Sequence, residues 1–415
     1  MFVHFRILFA EMSEPKKQCI EEDVAVTTFR RYLRINTSQP NPDYGTAVTF
    51  LQEVAREIGL GCDIVKLSSG LPVVVMSWMG SDPSLQAVMF NSHMDVVPVF
   101  PDHWTHPPFD AVKTDNGDIV ARGSQDMKCC GIWYIEAIRR LKSEGKSFKR
   151  NIFLTFVPDE EVGGAKGMKL FVQMEYFKKL NVGFALDEGL ANPSEEFSVF
   201  HGERTPWWAE VTCTGNTGHG SAFIKGTAME KLHKIMTSAL EFRKSEEKRL
   251  EADPSLTLGD VTTININQIQ GGVQPNVIPS EMKMVMDIRI SPHHDMVSFQ
   301  ELFDSWMTGA GEGCSYKFIF HGEHVSLTST DESNLWWKAF SSTLRVMGEK
   351  FTTTIFPAST DSKYIRELGI PALGFSPMNH TPILLHDHNE FLNEKIFLRG
   401  LDIYYELIPA LANCQ

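Results

Sequence analysis

The 415-residue sequence has no Cys-Xaa-Xaa-Cys pair. Its seven cysteines, an odd number with Cys129 and Cys130 adjacent, suit neither a disulfide framework nor a thiolate zinc site. Long apolar runs are missing too: MFVHFRILFAEMSEPKK opens on a hydrophobic stretch too short to span a bilayer and without a small-residue cleavage pattern before Glu11. Basic charge is in deficit, with 39 Lys and Arg against 52 Asp and Glu, a net -13. That balance argues against a nucleic-acid surface, because phosphate binding needs concentrated positive charge. There is no internal repeat and no phosphate loop. Gly145-Lys146-Ser147 ends like one, but Arg140 stands where its first glycine belongs, and a helix precedes it rather than a strand. What remains is an ordinary globular composition, 42% hydrophobic and 22% charged, long enough for two or three domains. The expectation is a cytoplasmic protein with no membrane and no nucleic-acid partner. Residues 1–20 read as an N-terminal extension, in which Met12-Ser13 offers an alternative start.

Ile152 to Gly164, IFLTFVPDEEVGG, is a buried strand running into Glu160 and Glu161. Pro158 and Gly163-Gly164 end the ladder and force a loop there. Two adjacent carboxylates repel unless water or a cation separates them, and such a pair is also common on solvated loops. Earlier in the chain, helical patterns cover Val24 to Leu33 and Gly45 to Ile58, and short apolar runs cover Pro72 to Trp78 and Ala87 to Phe90, the second ending in NSHMDVVPVF. Asn116-Gly117 predicts a hairpin within Val112 to Gly123. A helix follows, with Asp126 at its entrance, and later come a helix near Met168 to Phe177 and a strand, VGFALDEG, ending in Asp187-Glu188. Strands alternating with helices predict an α/β sheet with its site along one edge. From residue 200 to 321 the order changes to strand, helix, strand, strand, helix, strand, the ferredoxin-like split β-α-β arrangement. The alternating style then returns with Leu335 to Met347, Phe351 to Phe356, Ser362 to Leu368, Ala372 to Phe375 and a closing helix over Glu394 to Leu411. The division is therefore a domain in two parts, 21–199 and 322–415, with an inserted domain over 200–321.

Polar residues gather at the predicted strand ends: His93 and Asp95, Asp126, Glu160 and Glu161, Asp187 and Glu188, then His386, Asp387 and His388 in LLHDHNE. Singly, His93 is an ordinary strand-end histidine, Asp126 a helix cap, and Asp187-Glu188 the end of a strand. Together they form an imidazole and carboxylate set suited to zinc, manganese or cobalt, with more acids than one metal needs. Two metals sharing a carboxylate fit this count. Within Glu160-Glu161 one acid ligates and its neighbour takes a proton from water; Asp95, two residues after His93, is placed to hold that ring's second nitrogen. Spacing leaves His386 and His388 as alternatives. His219 reads as a turn histidine and Arg289 as an exposed cross-strand charge. Cys129 and Cys130 read as packing residues of a helix, and Trp207-Trp208 and Trp336-Trp337 as packing aromatics.

SHMDVVPV, ARGSQDMK, VPDEEVGG, ALDEG, GHGS and LLHDH, in this order, resemble the M20 family of metallopeptidases and amidohydrolases. YLRINTSQPNPDYG, GERTPWW, GGVQPNVIP and ALGFSPMN extend the resemblance to the N-acyl-L-amino-acid amidohydrolases of that family, from about Val24 to the C-terminus. One departure is Cys129-Cys130 after Asp-Met-Lys, where small residues are usual. The resemblance implies a zinc-peptidase-like catalytic domain, a mixed sheet flanked by helices, with the ferredoxin-like α+β insert as a dimerisation or lid domain. It implies two zinc ions per subunit of a homodimer, His93 and Glu188 on one, Glu161 and His386 on the other, and Asp126 between them. Glu160 is then the general base, Asp95 the partner of His93, His219 an oxyanion donor from the partner subunit, and Asn276 and Arg289 holders of the substrate carboxylate. The implied activity is hydrolysis of N-acyl-L-amino acids, chiefly N-acetylated neutral or aliphatic ones such as N-acetyl-methionine. A dipeptidase of the same family and a metal-binding interaction protein without catalysis are the alternatives.

Overall fold

The computed structural model describes residues 22–415, so the N-terminal extension lies outside the described residues. Helix α1 (Val24–Leu33) starts on Asp23, whose carboxylate accepts the Ala25 N–H, and α2 (Tyr44–Ile58) starts on Asp43 in the same way. Gly59, at φ +73°, takes the left-handed turn that ends α2. Strands β1 (Gly61–Lys66) and β2 (Pro72–Trp78) pair antiparallel, and β3 (Ala87–His93) is buried at every residue. It runs three residues beyond the expected Phe90 and carries His93 as its last residue. The short hairpin β4 (Val112–Lys113) and β5 (Asp118–Val120) turns at Gly117, φ +88°, where the Asn-Gly signal placed it.

Helix α3 (Lys128–Ser143) leads to β6 (Ile152–Val157). The single helix expected over Met168 to Phe177 is two, α4 (Met168–Phe171) and α5 (Glu175–Lys179). Phe171 and Phe177 pack edge to face at 5.3 Å in one core, whereas side chains six apart on a continuous helix point about 120° apart and are about 9 Å apart along the axis. Strands β7 (Val182–Asp187) and β8 (Phe197–Glu203) follow.

After the single residue Arg204 the chain enters β9 (Thr205–Thr214), β10 (Gly218–His219), α6 (Ala228–Ala252), β11 (Thr263–Gly271), β12 (Val277–Ile278), β13 (Glu281–Ile290), α7 (Met296–Ala310) and β14 (Cys314–His321). It closes with α8 (Leu335–Val346), β15 (Phe351–Phe356), α9 (Ser362–Arg366), β16 (Ala372–Phe375), β17 (Phe391–Asn393) and α10 (Glu394–Asn413).

Eight strands form a mixed sheet in the order β1-β2-β6-β3-β7-β16-β8-β15. Its centre, β6, β3, β7 and β16, is parallel, so these strands end on the same edge. Two apolar layers cover its faces, one built on α1, α2, α3, α8 and α10 and the other on α4, α5 and α9. At the α3–α10 contact the Trp133 indole donates to the Phe397 carbonyl at 2.7 Å, and a Cβ at Gly400 would lie 2.6 Å from that ring. Strands β11-β13-β9-β14 form a second, antiparallel sheet packed on α6 and α7, with the strand order of a ferredoxin-like fold. The sequence division at 200 falls inside β8, which stays in the large sheet to Glu203. Buried Arg204 fastens the crossing by donating to the carbonyls of Pro357 and Val261 and to Thr263 Oγ1.

Candidate metal centre

The parallel strand ends bring the site together. His93, 1% exposed, closes β3, and its Nδ1 donates to the main-chain carbonyl of Asp95 at 2.8 Å. That bond fixes the proton on Nδ1 and turns the Nε2 lone pair toward Asp126 Oδ1 at 2.9 Å and Glu188 Oε2 at 3.7 Å. A lone pair facing carboxylate oxygens at these distances requires a proton or a cation between them. The protonation balance expresses the same need: burial opposes charge on His93, yet Glu188 and Asp126 raise its pKa well above the ordinary value.

The Asp95 carboxylate has a different task from the one its spacing suggested. It accepts from Gln39 Nε2 at 2.7 Å and from the backbone N–H groups of Glu160 and Glu161 at 3.2 and 3.3 Å. The correction is one of atoms: the carbonyl of Asp95 orients His93, while its side chain pins the acidic turn after β6. That turn starts at Asp159, φ +74°, and leaves through Gly163 and Gly164, both at positive φ.

Asp126 does not cap α3, whose N-cap position is Met127, without a side-chain cap bond. Its two oxygens divide between His93 Nε2 and His386 Nε2, the latter at 3.2 Å, and His386 Nε2 also lies 3.0 Å from Glu161 Oε2. His93, Asp126 and Glu188 form one group whose donor atoms lie within 4.8 Å of one another; Asp126, Glu161 and His386 form a second. Of the two histidines that spacing left open, His388 turns away and stacks on His103 at 4.8 Å. His386 adopts φ +62°, a strained left-handed conformation costing about 1 kcal/mol or more. Adjacent strand residues point to opposite faces, so Asp187 leaves the site and accepts from Asn91 Nδ2 and Ser362 Oγ while Glu188 enters it.

The acids differ in their partners. Glu161 Oε1 accepts the Val97 N–H at 3.0 Å, and burial together with Asp126 pushes this carboxyl up to about 7. Glu160 takes no side-chain hydrogen bond among the described residues, and burial followed by the Glu188 charge raises it well above the usual carboxylate range. Burial also raises Glu188. Asp126 goes the other way: burial would raise it, but hydrogen bonds from His386 and His93 hold it well below the ordinary value. In the same exchange His386 rises to about 10.

A cavity of about 250 Å³ opens over Asp126, Glu160, Glu161, Glu188 and His386. Trp208, Arg289 and Phe320 of the small sheet wall one side, and Val162, Phe356 and Leu385 the other, with Lys363 as a second cation. The Arg289 fork is held by Asp287, Nε and Nη2 donating at 2.7 and 3.2 Å. His219 and Asn276 do not line this cavity. His219 is exposed on the β10–β12 ribbon, where the Asn276 carbonyl accepts the Gly220 N–H at 2.8 Å.

Glu390 escaped sequence reasoning, although it ends the LLHDHNE stretch. It is fully buried, pairs with buried Arg122 at 2.7 Å, and accepts the N–H groups of Gly123, Gln125 and Asp126. No local signal marks it, because its partners lie more than 260 residues away. Glu390→Ala strands the Arg122 charge and is expected to cost about 3–5 kcal/mol of stability in chemical denaturation. A loss below about 1 kcal/mol would show that something else holds the Asp126 loop.

The donor set fits metal ions: imidazole and carboxylate without thiolate, two groups joined through Asp126, and a lone pair aimed at acids. The sequence matches the profile of peptidase family M20/M25/M40 over residues 89–410. It is similar to human aminoacylase-1, 54% identical over 393 residues covering 95% of this chain and 96% of that protein. In fold it is similar to an M20 family metallo-carboxypeptidase from Sulfolobus solfataricus, with TM-score 0.75 and 18% identity over 94% of this chain and all of that one. A Bacillus subtilis dinuclear metal binding peptidase from the M20 family superposes with TM-score 0.67 and 16% identity, covering 93% and 97% of the two chains.

Proposed function

The chain belongs to peptidase family M20/M25/M40, and from that premise we propose that its cavity hydrolyses N-acyl-L-amino acids to a carboxylate and a free amino acid. The observation that carries the site assignment is the sharing of Asp126 between two three-residue groups, with the Glu160 side chain beside them taking no hydrogen bond among the described residues. Two zinc ions per subunit suit these donors, one on His93, Asp126 and Glu188, the other on Asp126, Glu161 and His386. Bound metal supplies Lewis-acid polarisation of the scissile carbonyl and lowers the pKa of water.

The chain's own residues supply the proton path and the grip on substrate. Glu160, with its basicity raised by burial, takes a proton from the attacking water and delivers it to the departing amine nitrogen. Arg289, held as a fork by Asp287, receives the α-carboxylate of the amino-acid half, and Asn276, which stands with His219 outside its own cavity, assists from the partner subunit. His219 stands outside its own cavity and is exposed, which suits a donor reaching the oxyanion of a partner subunit in a homodimer. The acyl half lies against the apolar wall, consistent with N-acetylated neutral and aliphatic substrates. Apart from the three acids of the metal groups and Glu160, the lining has no carboxylate to receive an ammonium, which favours an N-acyl substrate over a dipeptide. Among the described residues no helix is long and apolar enough to cross a membrane, and the six described cysteines are free, in keeping with a cytoplasmic enzyme.

The decisive assay compares amine release from N-acetyl-L-methionine and Ala-Met by zinc-loaded protein, before and after chelation. Chelator-sensitive turnover mainly of the acetylated substrate is expected. Preference for Ala-Met would make the protein a dipeptidase, and silence on both with metal bound would make it a binding protein.

A further inference from the structure

We propose that Cys213 and Cys314 form a redox-modification site, which a two-electron oxidant of the peroxide class converts into a disulfide across two strands of the small sheet. They are direct partners in the antiparallel β9–β14 ladder. The Thr214 N–H donates to the Gly313 carbonyl at 2.8 Å, so Thr214 and Gly313 are a hydrogen-bonded pair, and the cysteines occupy the next, non-hydrogen-bonded position. There the Cα atoms approach to about 4.5 Å with both side chains on one face. That spacing falls within the range of roughly 4.4–6.8 Å that a disulfide spans.

Exposure divides the labour between the two thiols. Cys213 is fully buried in the core under α6 and α7; Cys314 is half-buried at the start of edge strand β14. Burial, reinforced by Cys314, pushes the Cys213 thiol up to about 12. Oxidant arriving from solvent therefore meets Cys314 first. The Cys314 thiolate attacks one peroxide oxygen, the O–O bond breaks, and Cys314 becomes a sulfenic acid while the departing hydroxide takes up the proton the thiol had lost and leaves as water. Cys213 sulfur then displaces the sulfenic oxygen, its proton leaving with that oxygen as a second water. Two thiols and one hydrogen peroxide thus give one disulfide and two waters.

The other close pair cannot compete. Cys129 and Cys130 have sulfurs 3.9 Å apart, but they are consecutive residues of α3 and both are buried, so neither geometry nor access favours a bond. Neither Cys213 nor Cys314 belongs to a group of three ligating side chains among the described residues, which sets the pair apart from the metal centre. Farther along the same two strands stand Trp208 and Phe320, which wall the cavity. The bond would tie edge strand β14 to the strand carrying Trp208.

The test treats the metal-loaded enzyme with a small excess of hydrogen peroxide, blocks remaining thiols and maps the peptides by mass. A linked peptide containing Cys213 and Cys314, lighter by two hydrogens and released by dithiothreitol, is expected, with β14 amide exchange slowed roughly tenfold. Cys314→Ser, a change at a half-exposed position, is expected to leave Cys213 reduced at the same dose. Sulfinic acid on Cys314 with Cys213 still a thiol would overturn the proposal, as would oxidation elsewhere with both thiols intact. Equal β14 exchange in linked and reduced protein would overturn the claim that the bond ties the edge strand.

Discussion

Glu160→Gln is expected to lower kcat roughly a thousandfold while KM stays within about threefold of wild type. Glutamine keeps the length and shape of the side chain but cannot accept the water proton. Because Glu160 takes no side-chain hydrogen bond and the metal groups are complete without it, the variant should bind as much zinc as the wild type. The pH profile adds an independent reading. A base must be deprotonated to act, and Glu160 titrates above the usual carboxylate range, so wild-type kcat/KM falls as pH drops through that raised value. The variant should lose this acid limb together with its rate. Metal content measured alongside turnover separates the possibilities: a variant that loses zinc, or one that keeps its rate, would move the base to another residue.

Asp126→Asn should abolish both metals at once. Each oxygen of Asp126 faces a different histidine, His93 on one side and His386 on the other, so an amide removes the negative charge from both groups and offers an oxygen to only one. Zinc content is expected to fall from two equivalents toward zero and turnover by roughly 10⁴-fold or more. Glu161→Gln is the informative contrast, because Glu161 belongs to only one group. It should empty one position and weaken the other less. If Asp126→Asn retained one full equivalent of zinc, the two groups would be independent, and the shared-carboxylate reading would fail.

The site was readable from sequence where chemistry and local structure coincide. Strands β3, β6 and β7 are apolar runs that stop at polar residues, and the parallel sheet gathers those stops along one edge. His93, Glu160, Glu161 and Glu188 announce themselves in this way. Residues that act through distant partners gave no such signal. Glu390 reaches back to Arg122 and the Asp126 loop, and the Asp95 side chain serves the Glu160–Glu161 turn, contacts no periodicity encodes. Strand β1 was missed because only one of its six residues is buried, leaving little apolar pattern to read. The break between α4 and α5 was missed because helical spacing continues through it, and only the packing of Phe171 on Phe177 demands the bend.

Trp208 and Arg289 stand on a paired ladder, β9 against β13, where Arg289 is registered with Pro206 and Asp287 with Trp208. A pocket wall made of loops drifts through insertions and deletions, whose lengths are loosely constrained. A wall made of registered strands cannot drift that way, since one added residue would send every later side chain to the opposite face. The substrate range of this enzyme is therefore open to evolution by single substitutions and closed to it by changes of length along β9 and β13. Its descendants would diverge in side chains while the spacing of these strands stayed fixed.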